Sequence, residues 1–137
     1  YMLLTIEKII ILKSIKLFSE INEEDLFNLA TSLQEVEYES EVEVIIQGDL
    51  GTSMYIVISG EVDVQIDGKK IATLGEKEVF GELSALDPEP RAATVVTTQT
   101  TLLFKIDNTI LYYLIAEYPA VAKGIIRILC ERIRNSN

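Results

Sequence analysis

Not one histidine occurs in the 137 residues, and the chain carries a single cysteine, Cys130. Without imidazole there is no Ser/His/Asp or Cys/His nucleophile arrangement, and the common histidine-based metal sites are excluded. One thiol makes no internal disulfide, which agrees with a reducing compartment. Basic residues are also scarce: 12 Lys and Arg stand against 22 Asp and Glu, giving a net charge of −10, and none lies between Glu20 and Asp67. A surface of that sign repels phosphodiester backbones, so no nucleic-acid partner is expected. No apolar run approaches the ~20 residues of a membrane span. The opening YMLLTIEKIIILKS sets charges inside its apolar run, unlike a secretory signal. A cytoplasmic location, or the cytoplasmic face of a membrane protein, is expected, without membrane insertion.

What is present is the composition of a packed globular unit, 48 % hydrophobic and 25 % charged, with room for one domain. Residues 3–17 predict a helix with apolar positions on most faces, expected to pack on two sides. A chain that begins on Tyr1 fits either a piece cut from a longer one or a processed start. Asn22, with Asp25 three residues on and Ile21 placed to staple against Leu26, predicts a second helix from about Glu23. From Val36 the period becomes two, in EVEYESEVEVII, SMYIVISGEVDVQI, KIATL and ATVVTTQTTLLFKI. About eight short strands are expected, joined at glycines, with Asp67-Gly68 as the strongest hairpin signal. They predict a nearly closed antiparallel barrel or roll, mainly β with flanking helices.

Helix returns after Ile106. Asp107 is read as its cap, and Tyr112 and Tyr113 as helix-packing residues. Pro119 fits the first turn of a final helix. There Val121, Ile125, Ile128, Leu129 and Ile133 form an apolar stripe, widened by Ile126 and Cys130, while Lys123, Arg127, Glu131 and Arg134 face away. Such a stripe serves as core, as a dock for a ligand or partner, or as both.

The segment with chemistry is FGELSALDPEPRAATV, residues 80–95, holding Arg91, the sole arginine before Arg127. Gly81 lets the backbone come close to a ligand, and a short helix start would offer the N–H groups of Leu83, Ser84 and Ala85 to an anion. Arg91, stiffened by Pro90, adds a bidentate fork suited to phosphate oxygens. Glu82 beside a phosphate makes sense if it accepts a ligand hydroxyl, most simply that of a ribose. The alternative on residue types alone is a Glu82–Arg91 salt bridge that closes a loop. A cupin-type metal enzyme fails for want of histidine, and Glu76 with Glu78 reads as a solvated turn rather than a pair of glycosidase carboxylates.

This segment strongly resembles the phosphate-binding cassette of cyclic nucleotide-binding domains, as in protein kinase A regulatory subunits and catabolite-activator-type regulators. The likeness runs from about Phe18 to Arg134, with the turn glycines of QGDLGTSMYIVISGEV and LGEKEVFGEL in support. It implies a lead-in helix over 1–17 and one nucleotide-binding domain over 18–137, within a single unit. It further implies an antiparallel β-roll with N-terminal helices, a short cassette helix and two C-terminal helices. By the same resemblance Arg91 binds the cyclic phosphate with backbone N–H groups of Ser84 and Ala92. Glu82 takes the ribose 2′-hydroxyl with help from Gly81, and Ala93 lies near the base. Ala92 stands where a threonine or serine favours cyclic GMP, so cyclic AMP is the expected ligand and cyclic GMP the lesser candidate. The implied protein is a non-catalytic sensor that relays binding through its C-terminal helices to a host or partner protein, with no metal or resident cofactor. Whether it dimerises stays open, and a ligand-free interaction module of the same fold is the alternative. The sequence departs from the family where relatives often carry Gly-Glu after the first strand and this chain has Glu41-Val42. No aromatic base lid is evident, and Arg132 and Arg134 are the nearest candidates.

Overall fold

The computed structural model describes residues 3–135; residues 1–2 of the lead-in range and 136–137 of the domain range lie outside the described residues. The helices are α1 (Thr5–Ser14), α2 (Glu23–Ser32), α3 (Glu82–Leu86), α4 (Asn108–Glu117) and α5 (Pro119–Asn135). A 3₁₀ turn covers Lys16–Phe18. The strands are β1 (Gln34–Tyr38), β2 (Glu43–Ile45), β3 (Ser53–Ser59), β4 (Val62–Ile66), β5 (Lys69–Leu74), β6 (Val79–Phe80), β7 (Thr94–Thr97) and β8 (Thr101–Asp107). The chain forms two compact units, one from the described residues of Tyr1–Ser32 and Tyr112–Asn137, the other from Leu33–Leu111.

The strand unit holds two four-stranded antiparallel sheets, ordered β1-β8-β3-β6 and β2-β7-β4-β5. Alternation explains its core. Tyr55, Val57, Val62, Leu74, Phe80, Val95 and Leu103 form one buried cluster, with Tyr38, Val44, Ile45 and Val64 packed against it. Met54, Ile56, Phe104 and Ile106, one residue out of phase on β3 and β8, are fully buried as well. These two strands are therefore apolar on both faces, which explains their near-continuous hydrophobic runs.

Turn chemistry sets the register. The β4–β5 hairpin closes over Asp67 and Gly68, both at positive φ (53° and 79°), as the Asp-Gly pair predicts. Glu41 also sits at positive φ, 64°, so the turn after β1 keeps a left-handed residue without glycine. Thr97 holds it there: its carbonyl accepts the Glu41 N–H at 2.8 Å, its hydroxyl accepts the Val42 N–H at 2.9 Å and donates to the Glu39 carbonyl at 2.6 Å. Three local hydrogen bonds offset the roughly 1–2 kcal/mol that a left-handed residue costs.

In the helical unit Asn22 caps α2 through its side-chain oxygen, which accepts the Asp25 N–H at 2.8 Å, with Ile21 and Leu26 both buried. α1 packs differently from the expectation. Leu12 is buried, while Leu4, Ile6 and Ile10 are exposed, so the helix covers one side only. Pro119 begins α5 as expected. Val121 and Ile125 are buried and Gly124 brings α5 close to Leu17, where any Cβ would strike the leucine methyl. The stripe fades along the helix, and Ile126 and Ile133 are 60 % and 67 % exposed. On α4 the packing residues are Leu111 and Leu114, and Tyr112 and Tyr113 are exposed at 46 % and 58 %. The expectation for these tyrosines is thus corrected: the 3.6-residue period turns the adjacent pair outward. Among the described residues no helix is long and apolar enough to cross a membrane.

Partial burial and a hydrogen bond donated to the Asp25 carboxylate push the Tyr118 phenol from 10.0 up to about 12. The folded phenol keeps its proton after the unfolded one has released it, so this contribution is whole below pH 10 and is lost from pH 10 to about 12. Tyr118→Phe should lower stability at pH 7 by about 1 kcal/mol and flatten the fall in melting temperature across that alkaline window. Thermal unfolding followed by circular dichroism at stepped pH checks both.

Candidate functional site

β6 pairs with β3, setting Phe80 opposite Tyr55, and the two rings stack with centroids 5.1 Å apart and planes 15° from parallel. Gly81 follows at φ 80° and ψ 7°, a left-handed residue that turns the strand into α3. A Cβ there would sit 3.0 Å from the Ser53 carbonyl oxygen and 2.9 Å from the Arg91 guanidinium, so both backbone geometry and space require glycine. The Ala85 N–H closes the first turn onto the Gly81 carbonyl at 3.3 Å. Of the three donors expected at this helix start, Ala85 is therefore spent, and Leu83 and Ser84 are the ones that precede the first intrahelical bond. The Ser84 hydroxyl donates to the Glu89 carbonyl at 3.1 Å, bracing the turn through Pro88 and Pro90.

Arg91 is gripped at its backbone and enclosed at its side chain. Its N–H donates to the Asp49 carbonyl at 2.8 Å, and its carbonyl accepts the Gly48 N–H at 2.9 Å. Only 7 % of the residue is exposed. One guanidinium nitrogen donates to the Gly81 carbonyl at 3.2 Å, and the group lies so close to Gly51 that a Cβ there would overlap it. Burial pushes its pKa down from the usual arginine value, partly countered by Tyr55, and burial pushes the Tyr55 phenol up with Arg91 opposing. The guanidinium nonetheless stays charged across the physiological range. Among the described residues no carboxylate pairs with it, so the loop-closing salt bridge to Glu82 is not the arrangement found.

A cavity of about 320 Å³ opens beside this guanidinium, lined among others by Val44, Gly51, Ser53, Tyr55, Arg91 and Lys105. Its volume is at the lower end of small-ligand sites. Of the residues assigned from sequence, Arg91 lines this cavity and Gly81 touches Arg91. Glu82 opens α3 with 3 % exposure and Ser84 is buried two residues on. Ala92 is exposed and Ala93 half-buried as the chain enters β7. None of Glu82, Ser84, Ala92 or Ala93 is among the lining residues. Sequence reasoning missed Gly51, Ser53, Tyr55 and Lys105. The turn QGDLGTS and the two-residue alternation of β3 and β8 were the signals available. Among the described residues no cluster of three or more His, Cys, Asp or Glu is placed to hold a metal.

The model of the cyclic nucleotide-binding domain family matches residues 35–118, spanning both sheets, α3 and Arg91. Over 92 residues the chain is 43 % identical to a cAMP-dependent protein kinase regulatory subunit of Yarrowia lipolytica, covering 67 % of this chain and 24 % of that protein. Over 114 residues it is 32 % identical to a CRP-like cAMP-activated global transcriptional regulator of Mycobacterium tuberculosis, covering 80 % and 51 %. The chain thus spans about half, or less, of these curated relatives. A cyclic nucleotide-binding domain from Methylobacillus flagellatus superposes with a TM-score of 0.81 at 28 % identity, over 96 % of this chain and 79 % of that one. The Thermus thermophilus catabolite activator protein superposes at 0.78 and 31 % identity, over 88 % and 59 %. The β-roll read from periodicity is therefore the fold shared with these regulators, and the chain belongs to the cyclic nucleotide-binding domain family.

Proposed function

We propose that this domain binds a cyclic nucleotide, cyclic AMP in preference to cyclic GMP, and acts as a sensor rather than a catalyst. The observation that carries the reading is the enclosed Arg91 guanidinium, which faces a cavity and has no carboxylate partner among the described residues. Its hydrogen bond is to a neutral carbonyl. The exocyclic oxygens of a cyclic phosphate would replace that contact with a charge-assisted, bidentate one, roughly twice as strong per bond. The N–H groups of Ser84 and Ala92 would add donors to the phosphate, Glu82 with the Gly81 backbone would take the ribose 2′-hydroxyl, and Ala93 would lie near the base. Ala92 offers no hydroxyl to a guanine amino group, which supports the adenine ligand. The names of the compared regulators, a kinase regulatory subunit and a cAMP-activated transcriptional regulator, support the same ligand class.

Binding would be relayed from the domain over 18–137 to a host or partner protein. The cavity-lining turn is tied to the start of α4: the Ser53 hydroxyl donates to the Asp107 carboxylate at 2.6 Å and the Asn108 N–H to the Thr52 carbonyl at 2.9 Å. A ligand that prefers one arrangement of this turn shifts the population of whatever α4 and α5 take up, by as much as its difference in affinity. The exposed Ile126 and Ile133 then offer a surface for exchange of partners.

Calorimetry with cyclic AMP should give one saturable site per chain, and a folded sample that binds neither cyclic AMP nor cyclic GMP ends the sensor reading. Arg91→Ala should weaken binding by about 2–5 kcal/mol. Glu82→Ala should cost about 1–3 kcal/mol with cyclic AMP and little with its 2′-deoxy analogue. Equal losses with both ligands would make Glu82 a structural residue. Gly51→Ala should displace the guanidinium, a flexible group, so stability changes by under about 1 kcal/mol while affinity falls at least about tenfold. Parallel melts and titrations separate these effects.

A further inference from the structure

Lys105 occupies an unusual place for a lysine. It lies on β8 directly across from Tyr55 of β3 and Gln34 of β1. Because strand side chains alternate, Lys105 shares its face with Leu103, and Leu103 belongs with Tyr55 to the cluster between the sheets. The lysine therefore points toward the interior of the roll, is half-buried, and lines the same cavity as Arg91. Its proximity to the inner face is also visible at Tyr38, whose phenol, pushed up by burial and Tyr55, is opposed by Lys105.

Two cations in one cavity repel each other unless an anion stands between them. Among the described residues no carboxylate lies in salt-bridge contact with Lys105. The nearby carboxylates do not neutralise it. Asp107 accepts the Ser53 hydroxyl, and Asp49, which also lines the cavity, is exposed to solvent. An inward, half-buried, uncompensated cation is a cost to the empty fold that an arriving anion would remove.

We propose that Lys105 is a second cationic determinant of the nucleotide site, drawing the anionic cyclic phosphate into the cavity that it lines together with Arg91. This rests on the nucleotide-sensing reading and deepens it. Arg91 supplies directional hydrogen bonds, whereas Lys105 supplies field, because a flexible ammonium acts as a point charge. Its contribution should accordingly depend on salt more than on the identity of the base.

The test is a cyclic AMP titration of wild type, Lys105→Gln, Lys105→Glu and Lys105→Arg in about 50 mM and about 500 mM salt, with melting temperatures alongside. Lys105→Gln should bind roughly 5- to 20-fold more weakly at low salt and Lys105→Glu more weakly still, with the gap to wild type narrowing at high salt. Lys105→Arg should restore near-native affinity. Equal affinity of wild type and Lys105→Gln at low salt, or a deficit that salt leaves unchanged, overturns the inference while leaving the sensor reading intact. Failure of the folded wild type to bind at all overturns both. If Lys105→Gln does not fold, Lys105→Arg and Lys105→Met carry the comparison, and equal affinity between those two overturns the assignment.

Discussion

The site depends on the enclosure of one guanidinium. Arg91 is pinned by two backbone hydrogen bonds to residues 48 and 49, and its side chain lies flat against Gly51 and Gly81. Neither glycine can gain a Cβ without striking it. Burying an arginine is costly, and in most proteins a carboxylate meets the cost. Here a single neutral carbonyl takes one of its five N–H donors. That leaves a charged fork enclosed beside a cavity and already largely desolvated, a condition under which an anion gains from arriving.

The remaining architecture serves this enclosure. The left-handed Gly81 turns the chain from β6 into α3, and its carbonyl accepts a hydrogen bond from the Arg91 guanidinium at 3.2 Å. Stacked Tyr55 and Phe80 belong to the buried cluster between the sheets. The Ser84 hydroxyl and the bridge between Leu50 and Pro90 brace the loop that returns to β7. The chain carries a net charge of −10, and positive groups beside the cavity are few. Arg91 and Lys105 are the ones that line the cavity.

The turn that carries Gly51 and Ser53 shares hydrogen bonds with the first residues of α4. These bonds tie the turn to the point where β8 becomes helix. The apolar stripe of α5 is buried at Val121 and Ile125 and exposed by Ile133.

Local chemistry was enough to read much of this from the chain alone. Asn22 capping α2, Asp67-Gly68 closing a hairpin, Pro119 opening α5 and the two-residue period of the strands are each decided within a few neighbours, so they are legible without the fold. The run from Phe80 to Val95 is legible for the same reason, since a glycine turn, a helix start and an arginine are close in sequence. What the tertiary structure alone decided involves residues far apart. Thr97 steadies a left-handed Glu41 from 56 positions away, which no local pattern announces. Gly51 makes room for Arg91 across 40 residues, and strand register turns Lys105 toward the cavity. Tyr112 and Tyr113 went the other way, apolar enough to read as packing but facing outward once Leu111 and Leu114 took the buried side. Side-chain type records what a residue can do, and only the pairing of distant strands and the choice of a helix's inner face determine what it meets.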